Sequence, residues 1–274
     1  MTENGVKENG DHDPVRSGHE TPLDSMTVAI FDVDARIFRT MLDSFIRPAR
    51  VATAAIGRDY ARYLSPIRVF IALFSFQFVV AALFGTPVTA TLDTMTTDLP
   101  PDDMQAWLAT ARRSFDEPLT SRQVNDALVA TQSIALWPIT VLSSLPYLLA
   151  LKLYRPSTPI WGHLQIYLVA TNASFMLMIA LIPLQTLGGE GTVVGITIAL
   201  ISFFVICGIL LAYFYGRSVT ALILRLLGLL ALLPVTMIIT IACTFLTIDW
   251  VLANEFGLDF MTLLAPDDYA NRDS

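Results

Sequence analysis

"SFIRPARVATAAIGRDYARYLSPIRVF", residues 44–70, holds Arg47, Arg50, Arg58, Arg62 and Arg68 against one acid, Asp59. It runs straight into "IALFSFQFVVAALFG", residues 71–85, which carries no charge at all. Dense positive charge against an uninterrupted apolar run is the signature of a membrane span whose preceding segment stays inside the cell.

The same border recurs along the chain. No Asp, Glu, Lys or Arg occurs in 69–92, 127–151, 156–189, 191–216 or 226–248. Each gap accommodates the roughly 20 residues that cross a bilayer core. A charge at the middle of a span costs about 2.5–3.5 kcal/mol on insertion scales, so spans exclude charge. Five transmembrane helices are expected near 68–86, 133–152, 164–185, 193–214 and 225–247. Over all 274 residues 54% are hydrophobic and only 15% charged, and the mean hydropathy is +0.59. Soluble domains carry about 25% charged residues. The fold class read from these features is all-α, a polytopic transmembrane helix bundle of five spans.

The net charge of −7 conceals an asymmetry. Thirteen of the 17 Lys and Arg residues lie in 1–68, 152–163 and 214–225. The last two of these segments hold no acid, whereas 86–130, 186–192 and 248–274 hold fourteen. By the positive-inside rule the N-terminus and the loops at 152–163 and 214–225 are cytoplasmic. The 86–130 loop and the C-terminus are then external, which suits a bacterial inner membrane. The first span begins too late for a cleaved signal peptide. Cys207 and Cys243 both fall in spans and form no metal-ligand spacing.

Four regions follow. Residues 1–25 are polar and too poor in apolar side chains to order themselves. Residues 26–66 are cytoplasmic and carry two basic amphipathic helices. The first, opened by Asp34, has an apolar face of Ile37, Phe38, Met41, Leu42, Phe45 and Ile46. The second is opened by Pro48 and runs toward Leu64, with Gly57 weakening its middle. Such helices lie in the membrane interface or dock on the bundle's inner end. The bundle spans 67–248, with its outer loop at 87–130 expected to lie over the outer end. That loop has a short amphipathic helix around Met104–Phe115, and Ser121 is the expected cap of the helix after it. Residues 249–274 form an acidic external tail.

Little here reads as catalysis. "VAIFDVDAR", residues 28–36, resembles the opening motif of haloacid-dehalogenase phosphatases, in which an apolar strand ends in Asp-x-Asp. Ala35-Arg36 replaces the usual Gly-Thr, and the segment before the first span is too short for the α/β domain that chemistry needs. The two Pro-Asp-Asp turns, at 101–103 and 266–268, read as solvated loops. His163, where span three begins, reads as an interface anchor. No metalloprotease, nucleophile-elbow or phosphate-loop motif occurs. No enzyme activity, cofactor, metal or nucleic-acid partner is expected.

The candidate binding residues fall in two groups. Arg47, Arg50, Arg58, Arg62 and Arg68 form a basic collar suited to anionic lipid headgroups or a protein partner; arginine near such headgroups contributes about 1 kcal/mol each. Inside the spans, polar residues recur at helical spacing: Thr140, Ser144 and Tyr147 in span two, Gln165 and Asn172 in span three, Thr236, Thr240 and Thr244 in span five. Such stripes hydrogen-bond across helices or line a polar cavity for a headgroup or small solute. Gly195-xxx-Ala199 and Gly208-xxx-Ala212 in span four allow a close neighbour, expected within the chain.

Arg47-Pro48, the stretch from Gly57 to Tyr63, and Pro66-Ile67-Arg68 together resemble a bacterial multi-pass inner-membrane family catalogued only as a domain of unknown function. "YRPSTPIWGHLQIYLVATNASFML", from Tyr154, is similar to the same family's basic loop. Members often begin with a four-cysteine zinc ribbon; this chain has no cysteine before Cys207. The resemblance implies an integral membrane protein and no activity. The leading expectation is a non-enzymatic accessory or membrane-organising factor, and the alternative is a small transporter or lipid-handling protein that uses the polar stripes.

Overall fold

The computed structural model describes residues 36–86, 88–96, 101–111 and 118–260. The N-terminal polar stretch, the Asp-x-Asp of "VAIFDVDAR" with its cap Asp34, Arg112 and Arg113, and the Pro-Asp-Asp at 266–268 lie outside the described residues. Every regular element among the described residues is helical. They are α1 (36–46), α2 (Pro48–Ile56), α3 (Pro66–Phe84), α4 (Leu92–Met95), α5 (Pro101–Ala109) and α6 (Ser121–Tyr154). After them come α7 (Ile160–Ala180), α8 (Ile182–Gln185), α9 (Gly189–Tyr215), α10 (Val219–Ala231) and α11 (Leu233–Val251), which ends in a π turn, Leu252–Phe256.

Five helical stretches are long and apolar enough to cross a membrane: α3, α6, α7, α9 and the continuous run of α10 and α11. The chain is therefore an all-α polytopic membrane protein. Two runs break just before a proline. The third is interrupted at Leu181, ahead of Pro183, and the fifth at Leu232, ahead of Pro234. A proline ring collides with the carbonyl four residues earlier and has no N–H to donate to it. The second span begins at Ser121, and its cap is Thr120 rather than Ser121. Thr120 Oγ1 accepts from Gln123 N at 3.4 Å, and Gln123 Oε1 accepts from Thr120 N at 2.9 Å. That reciprocal pair satisfies two donors that a serine one residue later would leave open.

Three apolar cores hold the bundle. At the basic end, where α3, α7 and α10 start and α6 and α9 finish, Val51 and Ala52 of α2 pack with Ile166, Val169, Ile206 and Leu210 of α7 and α9. Both α2 residues are fully buried. So α2 docks into the bundle end rather than lying free in an interface. Burying a valine of this kind stabilises by about 1.5–3 kcal/mol. At the opposite end Trp107 and Leu108 of α5 and Leu92 of α4 pack on Val124 and Leu128 of α6 and on Val251, Leu252 and Phe256. The described parts of the 87–130 loop pack over this end, and residues 251–260 are folded into it. Its short helix is α5, which starts three residues earlier than expected. The third core joins α3 to α7 and α8 through Leu73, Ala81, Ile179 and Ile182.

The second basic helix is shorter than expected. It stops at Ile56, and the chain then turns. Arg58 N donates to Ala55 O at 3.2 Å and Asp59 N to Ala54 O at 2.9 Å. This bond pair is a Schellman ending, which wants a left-handed residue at the position after the cap. Arg58 holds it, with φ 58°, while Gly57 sits one place too early at φ −74°.

Candidate functional site

The collar is built on α1, α2 and the turn at 57–65. Thr40 and Ser44, one helical turn apart on α1, are both buried. Thr40 Oγ1 accepts from Leu64 N at 2.9 Å and donates to Arg36 O at 2.7 Å. Tyr63 Oη donates to Asp43 Oδ2 at 2.6 Å. Burial holds the Tyr63 hydroxyl above its ordinary pKa, and the bond to the Asp43 carboxylate adds to the shift.

These ties turn α1 in a way its apolar pattern did not anticipate. Ile37 and Met41 pack inward with Thr40 and Ser44. Phe38, Leu42 and Ile46, at steps of four, point outward with exposures of 68%, 57% and 63%. The expected single apolar face is thus split, one half packed and one half bare. An exposed stripe of large apolar residues is unusual on a polar surface and marks a contact with lipid or protein.

The arginines of the collar stand open as well. Arg47, Arg50, Arg58, Arg62 and Arg68 are all exposed. Arg62 lies over the Tyr63 ring, 5.5 Å from its centroid. Within the described residues none of the five forms an ion pair, and the one ion pair present, Arg122 with Asp126 at 4.0 Å, is elsewhere. The neighbouring acids are engaged: Asp43 by Tyr63, and Asp59 Oδ1 by Ala61 N at 3.3 Å.

Three further cations at this end are engaged by carbonyls. Lys152 Nζ donates to Pro156 O at 2.6 Å and Thr158 O at 2.8 Å. Arg225 donates to Tyr215 O at 2.7 Å, and Arg155 to Phe214 O. These cations sit near the carbonyl ends of α6 and α9, where a helix dipole favours them. They hold the connections together; the collar does not.

Between α1, the 57–65 turn, α3 and α7 lies a cavity of about 440 Å³. Arg36, Tyr60, Ser65, Arg68 and Trp161 line it, with Ile37 and Leu64 as its apolar wall. Of these residues the sequence had singled out only Arg68 as a binding candidate. The missed signal is Trp161, an amphipathic ring at the entry to an apolar span.

The polar stripes lie on separate faces. Ser143 Oγ and Thr240 Oγ1 share a bond of 2.7 Å between α6 and α11. Thr140, Ser144, Thr236 and Thr240 each donate to a carbonyl of their own helix, and Thr244 is half-buried. Tyr147 stacks on Tyr167 in the basic-end core. Asn172 turns the other way and donates from Nδ2 to Pro66 O at 2.8 Å. Asn172 and Thr240 therefore do not face one space. A second cavity, about 820 Å³ between α9 and α10, is lined by apolar side chains such as Phe204, Ile209 and Leu226. Neither cavity is lined by a stripe residue. The small residues of span four serve contacts within the chain: Ser174 Oγ donates to Ala199 O at 2.6 Å.

His163 is not an interface anchor. It is fully buried, with Nδ1 and Tyr215 Oη 2.5 Å apart. Among the described residues, the buried side-chain atoms without a hydrogen-bond partner are His163 Nε2, both amide atoms of Gln165 and Asn172 Oδ1, all on α7.

Residues 34–78 match the model of a family described as "Protein of unknown function (DUF3667)". The matched stretch holds the described part of α1, α2, the turn and most of α3, and so contains all five collar arginines. No curated protein and no solved structure matches the chain.

Proposed function

We propose that this membrane protein organises lipid at its basic end, as a non-enzymatic factor that holds anionic headgroups against the collar. The observation that carries this reading is the pairing of bare apolar side chains with uncommitted charge. Phe38, Leu42 and Ile46 offer an apolar edge on α1, and Arg47, Arg50, Arg58 and Arg62 follow it in the chain, exposed and without ion-pair partners among the described residues. Apolar burial together with attraction to anionic headgroups is how interfacial helices hold a membrane surface. In this reading the basic end is cytoplasmic, the C-terminus external and the membrane a bacterial inner membrane; the Lys and Arg distribution supports that orientation. A protein partner with an acidic face would use the same surface. The transporter reading has less support, because the stripes pair within the bundle.

The test uses full-length protein reconstituted in nanodiscs of mixed phosphatidylglycerol and phosphatidylcholine, released into a mass spectrometer. Several phosphatidylglycerol molecules per chain are expected to stay bound. Changing Arg47, Arg50, Arg58 and Arg62 together to glutamine is expected to lower that number markedly, and added salt to do the same. Equal retention of both lipids by wild type would sink the reading. Orientation is checked separately: a C-terminal reporter active only in the cytoplasm would reverse it.

A further inference from the structure

We infer that the 440 Å³ cavity under α1 is a single, specific site for a phosphate group, presented by an anionic phospholipid headgroup or by a free phosphate compound. The inference rests on the lipid reading above for its location and on the cavity itself for its specificity.

The donors are of the right kind. Arg36 and Arg68 bring two guanidinium groups to one cavity, and among the described residues that line it there is no Asp or Glu. Guanidinium forks suit phosphate oxygens, often in bidentate pairs. Ser65 is the N-cap residue of α3, yet its hydroxyl makes no capping bond. Neither the Ser65 hydroxyl nor the Tyr60 hydroxyl is engaged in a hydrogen bond among the described residues. The first turn of α3 also starts here, since Leu64, Ser65 and Arg68 all line the cavity. First-turn N–H groups have no intrahelical acceptor, and the positive end of the helix dipole favours an anion.

The position fits a headgroup. Arg68 is the third residue of the first span, so the cavity opens where the chain passes from polar to apolar surroundings. Trp161 forms part of the wall, and tryptophan favours that border. Ile37 and Leu64 supply an apolar side against which a glycerol backbone can lie. One turn further along the same face of α7 is Gln165, fully buried with both amide atoms unpaired. A polar group thus lies one turn beyond the tryptophan on that face, where an apolar residue would be the default.

The site is separable from the collar. Arg36, Tyr60, Ser65 and Trp161 are not collar residues, and Arg47, Arg50, Arg58 and Arg62 do not line the cavity. A general electrostatic collar holds many lipids weakly and releases them in salt. A built cavity holds one, and holds it through salt.

The test is native mass spectrometry of the full-length protein with three probes: phosphatidylglycerol, phosphatidylcholine and inorganic phosphate. One phosphatidylglycerol per chain is expected to survive high salt, whereas phosphatidylcholine does not. Arg36→Gln and Arg68→Gln are each expected to weaken that last molecule at least about tenfold, the loss of a charge-assisted bond. The quadruple collar variant is expected to leave it in place. Two single variants guard against misfolding in one, and each is checked for an unchanged melting profile. If inorganic phosphate is held one per chain and displaces the lipid, the cavity stands and its ligand is a soluble phosphate. If phosphate leaves the lipid undisturbed, the ligand is the headgroup. Failure of both phosphatidylglycerol and inorganic phosphate to bind one per chain, or binding indifferent to both arginines, overturns the site. Loss of the last lipid in the collar variant alone would overturn the site while keeping the collar reading. Loss of lipid preference in no variant would remove both.

Discussion

The side-chain amide of Asn172 donates to the carbonyl of Pro66 at 2.8 Å, joining the middle of α7 to the first residue of α3. Phe70 and Phe175 continue the pairing with ring centroids 5.9 Å apart, so the two helices run parallel in this register. Asn172 lies twelve residues past the start of α7, about 18 Å along its axis. The first span therefore starts well below the end of its neighbour. In the space this offset leaves beside the start of α7, α2 packs on α7 and α9. Asn172→Ala is expected to lower stability by about 1 kcal/mol, as for interhelical bonds in membranes. Asn172→Asp sets a carboxylate against the Pro66 carbonyl and is expected to cost more. Thermal melting in detergent measures both.

Arg58 occupies a left-handed position at φ 58° that a Schellman ending normally gives to glycine. A side chain there costs about 1–2 kcal/mol. Arg58 is exposed, so its removal loses no packing. Arg58→Gly is expected to raise the melting temperature while reducing phosphatidylglycerol retention. A variant that gains stability and keeps full lipid retention would remove Arg58 from the collar.

Gln132 is a clamp on the segment that follows α3. Its Oε1 accepts from Ala90 N at 3.1 Å and its Nε2 donates to Ala90 O at 2.8 Å. Asn125 Oδ1 accepts from Leu92 N at 2.7 Å beside it. Gln132→Leu leaves both Ala90 groups unpaired at a part-buried position. A cost of about 2 kcal/mol is expected, together with faster amide exchange across 88–92. Gln132→Glu retains the acceptor and is expected to fall between the two.

The Tyr63 hydroxyl is held above its ordinary value of 10.0, first by burial and then by Asp43. A raised folded pKa means the folded state holds the proton more tightly. The stabilisation is full below the unfolded value and is lost as pH rises through the folded one. Wild type is therefore expected to lose melting temperature above about pH 10 more steeply than Tyr63→Phe. At neutral pH the phenylalanine variant is expected to be the less stable, lacking the 2.6 Å bond to Asp43.

Two glycines of α9 give opposite expectations. A Cβ at Gly191 would collide with the backbone carbonyl of Leu184, which has no free end to move. Gly191→Ala is expected to destabilise by about 3 kcal/mol, the upper range for overpacking. At Gly195 the nearest atom is Leu181 Cβ at 3.6 Å, an ordinary contact. Gly195→Ala is expected to stabilise by about 0.5 kcal/mol from helix propensity alone. Paired melting curves decide it.

Several features were legible because their physics is local. The five apolar runs follow from the cost of carrying charge into lipid, which each segment meets alone. The short reach of α2 was half legible: Gly57 marked a weak point, but only the bond from Asp59 N to Ala54 O shows that the helix ends there. The outward turn of Phe38, Leu42 and Ile46 was not legible. Their spacing with Ile37 and Met41 reads as one apolar face, and nothing in α1 itself says that Thr40 will receive the Leu64 amide.

By itself, then, the sequence determined the all-α class, the five apolar spans and which helix ends carry the positive charge. Each depends on composition within about 20 residues and on the solvation cost of that segment. Only the tertiary structure decided that Asn172 faces Pro66 while Thr240 faces Ser143, that Thr40 is buried while Phe38 is bare, and that Arg36, Arg68 and Trp161 share one cavity. Those relations join residues up to 125 positions apart, as Arg36 and Trp161 are. Whether a side chain finds a partner depends on how the helices are offset and rotated, and that is settled only when all of them pack at once.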